Sequence, residues 1–206
     1  MLKLTKHFIK QSWLVILTAL LTGLALGAIN TTLAPRIEQN KADRLNSKIK
    51  ELLIEAKNFE ILSEQAEINI GKGKKTQSTI YKALSADGKC LGWAFNAEGS
   101  GFVDKIELII STDHNFARLV GFGVLASNET PYMGDQIKLD YYRNQFKGAP
   151  ATELKLSKTG DNNLIDDQII AISGATVSSQ AVVDIINNYI QQISQQLKAK
   201  GLIENY

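Results

Sequence analysis

Ser173-Gly174-Ala175-Thr176-Val177-Ser178-Ser179 joins the apolar run Gln168–Ile172 to a segment whose apolar residues recur at helical spacing. In that segment Val177, Ala181, Val182, Ile185, Ile186, Ile190 and Ile193 line one face, predicting a helix from Thr176 to about Lys198. The reading is a buried strand, a hydroxyl-rich turn and a helix. Taken alone, such a turn is an ordinary N-cap, worth about 1 kcal/mol relative to Ala. It also presents unpaired backbone N–H groups at the positive end of a helix dipole, which suits a phosphate. Thr176 adds an alcohol to which a phosphate can be joined covalently.

Upstream, Ser78–Leu84, Lys89–Phe95, Lys105–Ser111 and Ala117–Leu125 are β-rich runs. Ala86-Asp87-Gly88, the stretch 97–102 and Asp113-His114-Asn115 separate them as turns. Successive strands with short connections predict an antiparallel sheet. A polar loop, 127–136, contains Thr130-Pro131, a pair disfavouring helix. Asp140–Phe146 reads as a short aromatic helix, and Arg36–Phe59 as a longer one with Ile37, Leu45, Ile49, Leu52, Leu53 and Ala56 near helical spacing. Gly71–Lys75 reads as a solvated turn.

The N-terminus differs from all of this. Lys3, Lys6 and Lys10 precede residues 11–35, which carry no charge and are long enough to cross a hydrocarbon layer of ~30 Å. Trp13 suits the interface. The run exceeds the core of a cleaved secretory signal, so it reads as an anchor. The lysines set the N-terminus in the cytoplasm and the remainder outside. Thr18, Thr22, Gly23 and Gly27 either allow close helix packing or simply face lipid.

The 206 residues are 44% hydrophobic and 21% charged, which is globular rather than disordered composition. Without the three N-terminal lysines the basic residues fall from 23 to 20 against 21 acidic ones, and no basic stripe favours nucleic acid. Cys90 is the single cysteine, which removes intramolecular disulfides, CxxC redox chemistry and thiolate clusters. His7 and His114 are too few for a histidine metal site or a Ser-His-Asp triad. Ser178 and Ser179 therefore lack a base for hydrolase chemistry, and no catalytic or metal-ligating residue is expected. The organisation reads as a cytoplasmic N-terminus (1–10), a transmembrane helix (11–35), a membrane-proximal helix and linker (36–76) and an α+β domain (77–206).

Two loops about forty residues apart carry the chemistry: Glu129-Thr130-Pro131-Tyr132-Met133-Gly134 and Ser173-Gly174-Ala175-Thr176, with Ser178 two residues on. Together, behind one membrane span, they resemble the FMN-binding domain of membrane electron-transport complexes. Within that family the chain is most similar to the G subunit of the Rnf-type ion-translocating ferredoxin–NAD oxidoreductase, and also to the C subunit of the sodium-translocating NADH:quinone reductase. Asn144-Gln145-Phe146-Lys147-Gly148 is similar to the stretch that follows the first loop there.

The resemblance implies an α+β fold with an N-terminal transmembrane helix, and an exported domain of antiparallel sheet with flanking helices. It implies FMN joined by a phosphoester to Thr176, attached by a flavin transferase, in an electron-transfer subunit of a complex in the bacterial inner membrane. Gly174 and Ala175 would let the backbone approach the phosphate. Ser173, Ser178 and the amides around Val177 would donate to it. Thr130 and neighbouring backbone groups would bond the ring's polar edge, Pro131 and Met133 would pack on its face, and Gly134 belongs to the same cofactor-binding loop. Glu129 is either ring-proximal or a surface carboxylate. The chain departs from the family pattern at Ile170, where the transferase motif has Asp, and at Tyr132, where the first loop has Gly. Tyr132 either stacks on the flavin or fills part of the pocket. The alternative is an anchored scaffold or binding subunit of the same fold without covalent flavin.

Overall fold

The computed structural model describes residues 2–62, 65–71 and 73–203, with side chains from residue 12 onward. The side chains of Lys3, Lys6, His7 and Lys10, and Lys72 of the glycine–lysine turn, lie outside the described residues. The chain divides into two units, up to Arg44 and from Leu45.

Helix α1 runs Leu2–Leu52 without a break in assignment, with Pro35 inside it. The two helical segments expected on either side of Pro35 are thus one element. Its apolar part is the one candidate membrane span among the described residues. Trp13, Leu14, Val15, Ile16, Leu20, Leu21 and Leu24 are all exposed. Thr18, Thr22, Thr31 and Thr32 each donate their hydroxyl to a carbonyl three or four residues back. No water competes inside a bilayer, so such back-bonding makes hydroxyls tolerable there.

The second unit is built on a five-stranded antiparallel sheet of order β1-β4-β5-β6-β7. Its strands are β1 (Asn58–Ile61), β4 (Ile80–Leu84), β5 (Cys90–Ser100), β6 (Lys105–Asp113) and β7 (Leu119–Ser127). Alternation along the strands feeds two cores. Trp93, Phe95, Ala97, Ile106, Leu108 and Ile110 join the core that also holds Val182, Ile186, Ile190 and Ile193 of helix α3 (Thr176–Ala199). Ala94 and Ile109 point the other way, onto Ile49, Leu52 and Leu53. Register shifts opposite Ser111/Thr112 and Glu107/Leu108 insert one extra residue each in β7. The inserted Val120 and Leu125 turn to the second core while Leu119, Phe122 and Val124 keep facing the first.

A hairpin, β2 (Ala66–Asn69) and β3 (Lys75–Ser78), is held against α3. Gln192 and Asn188 both donate to the Asn69 carbonyl. A second pair, β8 (Lys155–Ser157) and β9 (Gln168–Ile170), is parallel and separate from the main sheet. The α+β architecture with an apolar N-terminal helix, antiparallel sheet and flanking helices is therefore the one observed.

Several boundaries move. The second helix stops at Leu52 and not at Phe59, because residues 58–61 pair with β4 instead and Lys57 N–H is already taken by the Leu84 carbonyl. The expected strand 78–84 is split at Thr79, whose N–H is taken by Asn96 Oδ1 at 2.6 Å. The expected turn at 97–102 is strand as far as Ser100. Gly99 there provides clearance: a Cβ would sit 2.5 Å from Ile185 Cγ1 of α3. The reverse turn comes at 101–104, closed by Gly101 N–H donating to the Asp104 carbonyl.

Candidate functional site

After β7 the chain enters the first loop, then a 3-10 turn (Gly134–Lys138), the one-turn helix α2 (Asp140–Arg143) and a second 3-10 turn (Asn144–Phe146). Phe122, Tyr142 and Phe146 fasten this segment to β7 through edge-to-face contacts, with centroids 4.8 to 6.4 Å apart. Tyr142 also donates its hydroxyl to the Ser179 carbonyl at 3.0 Å, joining the segment to the first turn of α3. Burial pushes that phenol well above its ordinary range, so it stays protonated and remains a donor. Gln145, itself buried, accepts from Ile170 N–H (2.7 Å) and donates to Ile170 C=O (3.2 Å). Its amide thus acts as a neighbouring strand for β9. The approach to the second loop is fixed on both edges, by β8 and by Gln145.

The second loop does not use a side-chain cap. The residue before the helix is Ala175, with no side-chain cap hydrogen bond. The ordinary capping reading of this turn fails for that reason. Among the described residues the amides of Thr176, Val177 and Ser178 find no acceptor, while Ser179 N–H reaches the Ala175 carbonyl at 3.0 Å. Gly174 has φ +78°, a conformation that side chains resist. The nearest atom to a Cβ built there is Met133 Cε at 3.8 Å, so the two loops are neighbours. Ser173, Gly174 and Val177 are exposed and Thr176 is half-buried. A 24-residue helix thus opens with free amides beside an accessible threonine hydroxyl.

The remaining hydroxyls are engaged within the protein. Ser178, 3% exposed, donates to Glu129 Oε2 at 2.6 Å. Its proton is therefore held by a carboxylate rather than offered outward. Ser179 accepts from Ile172 N–H and donates to Ala175 C=O, both at 3.0 Å. Neither serine is poised as a nucleophile.

Glu129 is 4% exposed, which removes the reading of a surface carboxylate. Its second oxygen, Oε1, accepts from Val103 N–H at 3.0 Å. Thr130 is half-buried, and its carbonyl takes the N–H groups of Met133 and Asp135, each at 3.2 Å, folding the loop back on itself. Pro131, Tyr132 and Met133 are exposed and Gly134 is buried. Tyr132 stands 90% exposed at φ +61°, with its carbonyl engaged by the Gln136 side chain. Its ring fills no pocket within the protein. Val103, Met133 and Val177 add apolar surface on the segments that carry these loops.

Several side chains close off other chemistry. Cys90 is half-buried, and burial pushes its thiol above the ordinary value. The described residues contain no cluster of His, Cys, Asp and Glu suited to a metal. Asp166 caps the Gln168 N–H and Asp167 pairs with Lys155. Ile170, six residues before Thr176, packs over Gly160, where a Cβ would lie 2.5 Å from Ile170 Cδ1. The roles of Gln145 and Tyr142 are invisible in the sequence. Their side chains act through backbone groups far along the chain, and no local motif announces that.

Residues 101–191, which run from the β5–β6 turn through both loops into α3, match the family described as the FMN-binding domain. Both loops fall inside the matched span. Over most of its length the chain is similar to the G subunit of an ion-translocating oxidoreductase complex of Methanosarcina acetivorans, at 27% identity over 88% of this chain and 94% of the relative. It is also similar to the G subunit of a proton-translocating ferredoxin:NAD(+) oxidoreductase complex of Clostridium ljungdahlii, at 25% identity over 86% and 87%. In fold it resembles the C subunit of a Na(+)-translocating NADH-quinone reductase in a crystal structure from Parabacteroides distasonis, with a TM-score of 0.54 at 18% identity, covering 83% of this chain and 98% of that one.

Proposed function

We propose that this protein is a membrane-anchored electron-transfer subunit of an ion-translocating oxidoreductase complex of the Rnf type, carrying FMN through a phosphoester at Thr176. The observation that carries the reading is the start of α3: amides without acceptors, next to an accessible Thr176, reached over a glycine in the left-handed region. These are the donors that a phosphoryl group requires, and the helix dipole adds to them. FMN, when bound, supplies the reversible uptake and release of electrons. The chain supplies the rest. Ser173, Gly174, Ala175 and the amides of Thr176 to Ser178 hold the phosphoryl end. Thr130, Pro131, Met133 and Gly134 offer the surface for the ring, and exposed Tyr132 is free to stack on it.

On this reading the segment 11–35 crosses the bacterial inner membrane with the N-terminus in the cytoplasm, and residues 77–206 lie outside. The linkage would keep the cofactor with the protein where free FMN is scarce. A flavin transferase and the other membrane subunits are the partners. Coexpression with the transferase should give a band that fluoresces as flavin after denaturing electrophoresis, with an FMN adduct by intact mass localised to Thr176. Thr176→Val should be dark. A wild-type protein without adduct, whose deletion still disassembles the complex, would favour the scaffold role. A C-terminal alkaline phosphatase fusion should be active, and an inactive one would reverse the topology.

A further inference from the structure

Glu129 is a buried carboxylate with partners from two other segments. Oε1 accepts from Val103 N–H in the β5–β6 turn and Oε2 from Ser178 Oγ in the first turn of α3. Two glycines make room for it. A Cβ on Gly134 would sit 2.7 Å from Oε2 and 2.6 Å from Ser178 Oγ, and one on Gly101 would overlap Oε1. Its own N–H is bonded to Ser127 Oγ at 3.3 Å. Three separate pieces of chain therefore meet at one side chain: residues 101–104, the 129–134 loop and the opening turn of α3.

We propose that Glu129 is a positioning residue that locks the 129–134 loop to the Thr176 turn through Ser178, so that ring surface and phosphoryl donors form one cleft. This rests on the reading of Thr176 as the attachment point. It assigns neither Glu129 nor Ser178 a contact with the cofactor. Both are buried and their hydrogen-bonding capacity is turned on each other. A hydrogen bond to a charged, buried acceptor is among the stronger single contacts, and removing either partner strands the other. Met133 Cε, 3.8 Å from where a Cβ on Gly174 would sit, marks the outward face of the same junction.

The test is a double-mutant cycle in the full chain in detergent, using Glu129→Ala, Ser178→Ala and the pair, with isosteric Glu129→Gln as the rescue. Two readouts separate the claims. In protein made without transferase, amide hydrogen exchange across 179–183, the first hydrogen-bonded amides of α3, should quicken roughly tenfold in each single variant, with little further change in the double. In protein coexpressed with transferase, both single variants should lower the yield of Thr176-linked FMN several-fold and shift the visible flavin spectrum. Glu129→Gln, which keeps an acceptor for Val103 and a partner for Ser178, should recover most of both. Additive effects in the double variant would overturn the lock. So would wild-type spectrum and yield in Glu129→Ala. Absence of FMN from wild type would sink the attachment reading alone, because the exchange cycle still decides whether the lock exists.

Discussion

At the residue scale the glycines of the two loops act for different reasons and should respond differently to Ala. Gly174 has space for a Cβ but a φ of +78°, so Gly174→Ala should cost about 1–2 kcal/mol through backbone strain. A fall of a few degrees in the unfolding midpoint, with loss of covalent flavin, is the expected outcome. Gly134→Ala meets Ser178 Oγ and Glu129 instead and has no open direction. It should be more destabilising than Gly174→Ala in a denaturant titration. The reverse order would mean that backbone strain at Gly174 outweighs crowding at Gly134.

At the element scale, β9 is only three residues long and depends on what borders it. Gln145→Leu removes both of its side-chain bonds to Ile170 and leaves a half-buried N–H and C=O to find other partners, at a cost of roughly 1 kcal/mol or more. Limited proteolysis should then cut between 158 and 173 well before global unfolding. Resistance equal to wild type would show that β8 alone holds the strand. The long apolar helices, the alternating strands and the SGAT turn were legible because period and punctuation are local properties. The strand reaching Ser100 was not, since a glycine that clears Ile185 looks in sequence like a glycine that makes a turn. The engagement of Glu129 with Ser178 spans 49 residues and no spacing encodes it. The β2–β3 hairpin was hidden because Lys75, Thr76 and Gln77 leave too few apolar positions to reveal a period of two.

For the whole molecule, acidity should loosen the fold at two carboxylates, Glu51 and Glu98. The Lys48 hydrogen bond holds Glu51 below the usual carboxylate value; partial burial opposes this and the buried Arg143 adds to it. At Glu98 burial pushes upward, but hydrogen bonds from Lys105 and Thr76 outweigh it. A carboxylate depressed in the folded state stabilises fully above its unfolded value, here near 4.5, and loses that contribution as pH falls through the lower folded value. The unfolding midpoint should hold from neutrality to about pH 5 and drop below that. Combining Glu51→Gln with Glu98→Gln should lower the midpoint at pH 7 and flatten the acid limb. An unchanged slope would assign acid lability to other carboxylates.

The sheet that separates the two cores also divides the consequences of substitution between its faces. On one side a handful of aliphatic contacts, Ile49, Leu52 and Leu53 against Ala94 and Ile109, receives the end of the first helix. The loops and the helix that carries Thr176 are supported from the opposite side. Substitutions among Ile49, Leu52 and Leu53 should thus leave the packing beneath the loops largely as it is, whereas a change at Glu51 reaches across through Arg143.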